Sequence, residues 1–444
     1  MKKYLIRSDF DPLKRVDPKD YVFKDFVGAN SGNLMFAYGV MNTLKTNDVQ
    51  LEYSYKTAFS DSEIEYINST FDAFIIPLAD AFRADYVRQL SSYTNAIKRL
   101  RIPVIVSGVG LRTDYEPNFK DGNVFDDTVR EFVKAVLEKS PFLGLRGEIT
   151  SDYLEHLGFK AGRDHTPIGC PSLYTYGDSI RISELRSPIQ KAAINTNGYY
   201  HVQSINEFIN KTISDVSDYY LVQQIQDEFQ ELYTGGHLVY KNLAGKNKKL
   251  KNYIIVGKEL DTLYKEDRVR FFFDVPSWIN FMKPFDIMIG NRFHGTVAGV
   301  LAGIPSVMLP FNGRTRELVE YHDLTCLHPK DIRPGTSILD YVDKLDFHSF
   351  EKKQPANLKH YIDFLDKNGL EHIFKTRTGY KMGESPLEKS ISCALHTPIQ
   401  EYCYEVHCYN SLNCLQKAKR WSSCNSRAAI RKLRSLRRRF SNKK

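Results

Sequence analysis

The sequence lacks several features that would place it in a familiar class. No run of about 18 apolar residues occurs, so a membrane-spanning helix is not expected. The N-terminal stretch MKKYLIRSDF has two lysines but too short an apolar core for a signal peptide, which favours a cytoplasmic protein. No complete Gly-x-Gly-x-x-Gly motif follows a predicted strand, so a dinucleotide site is not supported.

Excess charge is also missing from most of the chain. The net charge is +9, yet residues 427–444 alone hold nine Lys or Arg and no acid. Subtracting those nine from 62 leaves 53 basic residues, equal to the 53 acids. The remainder is therefore formally neutral, which argues against a nucleic-acid binder with a basic face.

The basic tail has an apolar stripe at helical spacing, formed by Ile430, Leu433, Leu436 and Phe440. Arginines around such a stripe are typical of a helix that lies on anionic lipid. We expect residues 427–444 to bind an anionic membrane surface, which would make the protein peripheral at the inner face of the membrane. The alternative is a solvated basic tail.

Cysteine is sparse and uneven, with five of the seven residues between positions 393 and 424. Four residues of this region are candidate ligands: Cys403, His407, Cys408 and Cys414. Their spacing lacks the paired C-x₂₋₄-C of zinc modules, so no metal site is expected. Reduced thiols are the interpretation for a cytoplasmic chain.

Strands alternate with helices along most of the sequence, which predicts a parallel, doubly wound α/β fold. Residues 21–23 are a candidate first strand, and residues 205–233 are predicted to be mainly helical. The predicted organisation starts with an N-terminal Rossmann-like domain at residues 1–180 and a C-terminal Rossmann-like domain at residues 181–350. A helix that crosses back follows at residues 351–390, and a Cys-containing basic tail at residues 391–444.

The strongest local signal is FDIMIGNRFHG at residues 285–295. Arg292 and His294 follow an apolar strand and precede a helix of small residues, at the edge where open α/β sheets bind ligands. An imidazole exchanges protons near neutral pH, and a guanidinium grips phosphate or carboxylate. The plainer interpretation is a structural Arg–carboxylate pair and a helix-capping His.

The block GNRFHG…AGIPSVMLPF resembles the signature of the polysaccharide pyruvyl transferase family. Weaker matches run through residues 25–330. The resemblance implies two Rossmann-like domains facing a cleft, as in GT-B glycosyltransferases. It also implies transfer of pyruvate from phosphoenolpyruvate to two hydroxyls of a sugar, giving a cyclic ketal, with no other cofactor. The acceptor would be a polysaccharide or its lipid-linked oligosaccharide precursor.

Under this resemblance, His294 and Arg292 are the expected catalytic residues. The expected substrate-binding residues are Asn30, Gly32, Asn33, Gly110, Arg112, Arg146, Gly295 and Arg314. Two positions depart from the family pattern. Asn33 stands where an Asp is usual, and Arg314 or Arg316 stands in for a usual Lys.

Two other functions are compatible with the sequence. A GT-B type glycosyltransferase would use a nucleotide sugar, with Glu317 or Glu320 as candidates to hold the ribose hydroxyls. A non-catalytic glycan- or anion-binding protein would keep the scaffold, although the intact Arg292 and His294 argue against it.

Overall fold

Two parallel sheets flanked by helices form the core of the described residues in this computed structural model. The structure describes residues 1–13, 28–196, 203–225, 262–263 and 266–391, together with the backbone of four short strands between residues 240 and 259. The candidate strand at 21–23, the basic tail and five of the seven cysteines lie outside these residues.

The first sheet has the order β2-β1-β3-β4, and all its neighbours are parallel. A further parallel pair, β5-β6, continues from the β4 edge through a bridge between Val109 and Leu145. Neighbouring parallel strands need a long crossover, which is usually a helix, and a helix follows each of β1 to β5. The strands are β1 Lys2–Arg7, β2 Val49–Ser54, β3 Ala73–Pro77, β4 Val104–Ser107, β5 Leu143–Leu145 and β6 His165–Pro167.

Helices of the first unit pack on both sides of this sheet. They are α1 Gly32–Leu44, α2 Asp61–Thr70, α3 Val87–Arg99, α4 Asp126–Leu137 and α5 Glu148–His156. The start of α2 is fixed by a capping box, in which Ser60 accepts from the Glu63 N–H and Glu63 accepts from the Ser60 N–H. The amphipathic α3 and α4 bury one face each against the sheet.

The second sheet has the order β13-β8-β7-β14-β15 and is also parallel throughout. Its strands are β7 Lys191–Asn195, β8 Asp218–Val222, β13 Val269–Arg270, β14 Ile287–Gly290 and β15 Ser306–Met308. Two short antiparallel pairs lie between β8 and β13 in the chain: β9 Tyr240–Lys241 with β10 Asn247–Lys248, and β11 Ile254–Ile255 with β12 Lys258–Glu259.

The remaining helices are α6 Gln203–Asp215, α7 Val275–Met282, α8 Phe293–Ala302, α9 Gly313–His322, α10 Ser349–Lys367 and α11 Pro386–Ile391. The small residues of α8 let it approach the sheet closely, since a Cβ on Gly299 would lie 2.9 Å from that of Met288. Gly303 ends the helix in the left-handed conformation. In α10, Tyr361 stacks on Tyr174 and Phe364 contacts Phe142, so this helix packs on the first unit.

Helix α1 is the central element of the molecule, because nearly all of its residues are buried. A helix that is apolar on every side belongs inside a core. It contacts α7 and α8 of the second unit, as well as the 3₁₀ turn Pro171–Tyr174. The turn approaches so closely that a Cβ on Gly39 would lie 2.6 Å from the Pro171 carbonyl oxygen.

The predicted fold class, two parallel α/β units facing a cleft, is confirmed. One local prediction is wrong, and one strand was not predicted. The chain opens with a strand at Lys2–Arg7, and the predicted helix at 205–233 ends at Asp215 and is followed by strand β8. The sequence of β8, DYYLV, is rich in aromatic and β-branched residues, which favour strands.

Candidate functional site

A cleft of about 770 Å³ lies where the two sheets face each other. The first unit lines it with residues that follow β1 and β3, such as Ser8 and Asp80, and with Asn30 before α1. The second unit lines it with residues that follow β8 and β14, such as Gln224 and Asn291. Carboxyl ends of parallel strands are where α/β folds bind ligands.

His294 lies in the first turn of α8, on the wall of the cleft, and is 7% exposed. Its Nε2 is 3.7 Å from Sγ of Cys170, and its ring lies 6.4 Å from that of Phe36. On the other side, a Cβ on Gly32 would lie only 2.8 Å from Nδ1. The ring is therefore held between two segments of the first unit.

The surroundings of His294 disfavour the protonated form of its imidazole in the free protein. Burial lowers its pKa well below the usual value, and the positive charges of Arg146 and Arg314 lower it further, while Asp80 acts in the opposite direction. A negative ligand beside these arginines would reverse part of this effect. The proton affinity of the His294 ring therefore depends on the charge of the ligand in the cleft.

Arg146 is fully buried behind the cleft wall. Its Nε donates to the Gly108 carbonyl at 2.9 Å, and its guanidinium lies 4.8 Å above the ring of Phe36, which lines the cleft. Both terminal nitrogens lack a hydrogen-bond partner within the described part of the chain. Burial lowers the pKa of this arginine. Buried donors of this kind are costly unless a ligand satisfies them.

Three further predicted arginines line the cleft: Arg112, Arg292 and Arg314. Arg112 already pairs with two carboxylates, Asp80 at 2.9 Å and Asp85 at 3.4 Å. Burial alone would raise the pKa of Asp80, but Arg314, Arg83 and Arg112 outweigh burial and lower it. Asp80 is thus held as a carboxylate by arginines of the cleft, and it pairs with Arg112 and Arg83.

Six of the ten predicted residues line the cleft: Asn30, Asn33, Arg112, Arg292, His294 and Arg314. The other four lie behind its wall: Gly32, Gly110, Arg146 and Gly295. Among these, Gly110 leaves room for Arg146, whose Cδ would lie 3.0 Å from an added Cβ. A side chain at Gly295 would collide with Asn195 at the end of β7, so this glycine packs the helix against the sheet.

Several cleft residues were not among the predicted site residues, including Arg7, Asp80 and Gln224. Arg7 ends the unrecognised strand β1 and donates to Tyr93 Oη at 2.9 Å, the Pro77 carbonyl at 3.3 Å and Tyr86 Oη at 3.4 Å. Gln224 follows β8, which was predicted as helix. Recognising these two strands would have placed both residues at the cleft, whereas Asp80 follows a strand that was predicted.

Glu317 and Glu320 do not line the cleft. Glu317 is buried and accepts from the Thr150 N–H at 3.0 Å and from Thr150 Oγ1, which ties α9 to the start of α5. Burial raises its pKa to about 7, against the opposing effects of the Thr150 hydrogen bonds and of Arg146. Glu320 is exposed and pairs with Arg316. Neither carboxylate is placed to hold a ribose.

Within the described residues, no group of three His, Cys, Asp or Glu side chains is arranged to hold a metal ion. Over the same residues, no helix is both long and apolar enough to cross a membrane. The Cys403–Cys414 region and the basic tail lie outside this description.

The chain belongs to the polysaccharide pyruvyl transferase family, whose model matches residues 30–312. This segment contains the signature block and every element from α1 to β15. It also contains all cleft-lining residues from Asn30 to Asn312. No curated protein sequence matches the chain.

Solved structures similar to this chain include UDP-GlcNAc 2-epimerase from Neisseria meningitidis bound to UDP-GlcNAc, at 11% identity over 83% of this chain and 100% of that one, with a TM-score of 0.43. CalG4, the calicheamicin glycosyltransferase, is 10% identical over 82% of this chain and 98% of its own, with a TM-score of 0.31. Similarities of this size do not bear on the activity of this chain.

Proposed function

We propose that this protein transfers pyruvate from phosphoenolpyruvate to two hydroxyls of a sugar, forming a cyclic ketal and releasing phosphate. The observation that carries the proposal is the position of His294 in the cleft, under the influence of Arg146 and Arg314. Such a site suits a small, multiply charged anion next to a proton-transfer group. A volume of about 770 Å³ leaves room for a sugar beside it.

The arginines bind and orient the donor. Arg292 and Arg314 line the cleft, and Arg146 adds two buried NH₂ groups without a partner in the described chain. Guanidinium groups match carboxylate and phosphate oxygens in two-pronged hydrogen bonds. They also stabilise the negative charge that builds up on the departing phosphate.

His294 moves the protons. Donor binding offsets the positive charges of Arg146 and Arg314, so it raises the pKa of the ring and favours proton uptake. The imidazolium then gives its proton to the methylene carbon of the donor, which leaves an oxocarbenium-like carbon. A sugar hydroxyl attacks that carbon and its proton returns to the ring.

The second half of the reaction closes the ring. The bond between the ketal carbon and the phosphate oxygen breaks, and the second hydroxyl attacks the same carbon. The proton of this hydroxyl leaves with the phosphate. The methyl group has gained the proton that the ring took up when the donor bound. The proton of the first hydroxyl is left on the ring and returns to solvent when the products leave, and the proton of the second hydroxyl ends on phosphate, so atoms and charge balance.

A nucleotide-sugar donor is the less favoured function. The two acids considered for its ribose are engaged elsewhere, Glu317 with Thr150 and Glu320 with Arg316. A purely binding role would not need an imidazole on the cleft wall whose pKa depends on the neighbouring arginines. Both points support the pyruvyl donor.

In the test, the protein is incubated with phosphoenolpyruvate and with acceptors ending in galactose, glucose or N-acetylmannosamine. Phosphate release and the mass of the acceptor are then measured. We expect phosphate release with a matching gain of a pyruvyl ketal by one acceptor. His294→Ala should abolish both, whereas His360→Ala, which removes an exposed His bonded to Thr166, should not. Turnover of a nucleotide sugar without phosphate release from phosphoenolpyruvate would overturn the proposal.

The acceptor is proposed to be a lipid-linked oligosaccharide at the inner face of the membrane. Support comes from the basic, amphipathic sequence of residues 427–444. Deleting these residues should abolish cosedimentation with vesicles containing anionic lipid, while activity on a short soluble acceptor persists. Equal cosedimentation of the full-length and shortened chains would contradict it.

A further inference from the structure

Gln224 is fixed at the junction of the two units. It lies two residues beyond the end of β8, and its carbonyl accepts a hydrogen bond from the Ser31 N–H at 2.9 Å. The neighbouring Ile225 forms an antiparallel bridge with Asn30. The backbone of this residue is thus held by the turn that precedes α1.

The side chain of Gln224 reaches the cleft beside His294. The residue is 2% exposed and lines the cleft. Its Oε1 and the His294 Nδ1 both lie 2.8 Å from the position that a Cβ on residue 32 would occupy. The amide and the imidazole therefore border the same small space next to Gly32.

The Nε2 of this amide is buried and has no hydrogen-bond partner within the described residues. The buried Gln354, which does not line the cleft, differs in this respect. In Gln354, Nε2 donates to two carbonyls, Leu173 at 2.8 Å and Gly177 at 3.0 Å. A buried N–H without a hydrogen-bond partner is costly. This cost would be removed if the Gln224 amide donated to an atom of the bound substrate.

We propose that Gln224 is a substrate-positioning residue, whose Nε2–H donates to an oxygen of the bound substrate next to His294. This inference rests on the proposed function. The oxygen belongs either to the carboxylate or phosphate of the donor or to a hydroxyl of the sugar. In both cases the hydrogen bond sets how the reacting carbon lies against the ring of His294.

The experiment measures kcat and the KM of each substrate for the full-length protein with Gln224→Leu and Gln224→Glu. Leu keeps the apolar bulk but cannot donate, and Glu keeps the shape but brings negative charge. Gln203→Leu serves as the matched control, since Gln203 lies on α6 and bonds to Glu207 at the surface. Circular dichroism and thermal unfolding verify that each variant is folded.

For Gln224→Leu we expect one KM to rise, about 3- to 10-fold for a lost hydroxyl contact and more than about 10-fold for a lost contact to a charged oxygen. Gln224→Glu distinguishes a substrate oxygen of the donor from a hydroxyl oxygen of the sugar. Repulsion raises the phosphoenolpyruvate KM beyond the Leu value if the partner is the donor, whereas a carboxylate restores the sugar KM if the partner is a hydroxyl.

The proposal is overturned if folded Gln224→Leu and Gln224→Glu both keep the two wild-type KM values. If both variants fail to fold, the amide is structural and the proposal also falls. Wild-type protein that releases no phosphate from phosphoenolpyruvate overturns the proposed function instead, so the two failures are distinguishable.

Discussion

The Sγ of Cys170 lies 3.7 Å from the Nε2 of His294, inside the core and out of contact with solvent. The same sulfur is 3.0 Å from Ser172 Oγ, and the Cys170 N–H donates to Nε2 of His322 at 2.8 Å. The loop after β6 thus supports the imidazole from behind. With Nε2 facing the thiol, Nδ1 faces the side of Gly32.

Replacing Cys170 with Ala should lower kcat about 2- to 10-fold, because the ring loses one weak hydrogen bond that fixes its orientation. Both KM values should stay unchanged, since the thiol does not line the cleft. Cys170→Ser should cost less, because a hydroxyl still bonds.

Cys326 offers a matched control, as its Sγ lies 3.7 Å from Nε2 of His328, away from the cleft. Steady-state kinetics of Cys326→Ser should equal those of wild type. An equal loss in both cysteine variants, or a change in KM alone, would argue against support of His294 by Cys170.

Gly32→Ala should reduce kcat by roughly 100-fold, because the new methyl group would lie 2.8 Å from both His294 Nδ1 and Gln224 Oε1 and push them aside. The measurement is kcat at saturating concentrations of both substrates. Ser31→Ala is the control in the same turn, since the Ser31 hydroxyl makes no cap bond to α1. Wild-type kcat in Gly32→Ala would show that the ring position is not critical.

Arg314→Ala should raise the KM for phosphoenolpyruvate about 10- to 100-fold, as expected for the loss of a charge-assisted hydrogen bond. Arg316→Ala should leave it unchanged, because this guanidinium binds Glu116 at 2.6 Å and Glu320 at 2.7 Å outside the cleft. The pair tests which of the two arginines takes the place of the usual Lys. Equal effects on KM would contradict the assignment to Arg314.

Glu317→Gln should stabilise the protein relative to wild type more at pH 9 than at pH 5. Burial raises the pKa of Glu317 from 4.5 to about 7, so the folded protein holds a proton there that the unfolded chain releases above pH 4.5. The bound proton therefore stabilises the folded wild-type protein at low pH, and this stabilisation is lost as the pH rises through 7. Glutamine carries no such penalty.

The measurement is the difference in unfolding free energy between Glu317→Gln and wild type across this pH range. Since one pKa unit corresponds to about 1.4 kcal/mol, the difference should change by about 1–3 kcal/mol. Glu320→Gln, at the exposed end of the same helix, gives the baseline. A flat difference for Glu317→Gln would mean that its carboxyl ionises without cost.

The sequence was sufficient for the architecture and for the centre of the site. Apolar runs that end in Gly-Asn or Gly-Val-Gly marked β14 and β4, and strand ends in parallel sheets converge on one edge, so Arg292, His294 and Arg112 were expected near a ligand. The structure places all three on the cleft wall.

Other features depend on tertiary packing that a local pattern does not encode. Strand β8 follows α6 after only two residues. Its aromatic residues were therefore predicted as a continuation of the helix. Three contacts join segments more than 100 residues apart: Glu317 with Thr150, Cys170 with His294, and Arg146 with the ring of Phe36. Spacing within one segment carries no information about such pairs.

Helix α1 has a consequence for how the protein is built and handled. Its apolar surface is covered on one side by the Pro171–Tyr174 turn and on the other by α7 and α8, so neither α/β unit can be separated without exposing it. Heat should therefore melt the two units in one cooperative transition. A fragment that ends near residue 180 should aggregate. Protein prepared for crystallisation or directed evolution should therefore contain both units.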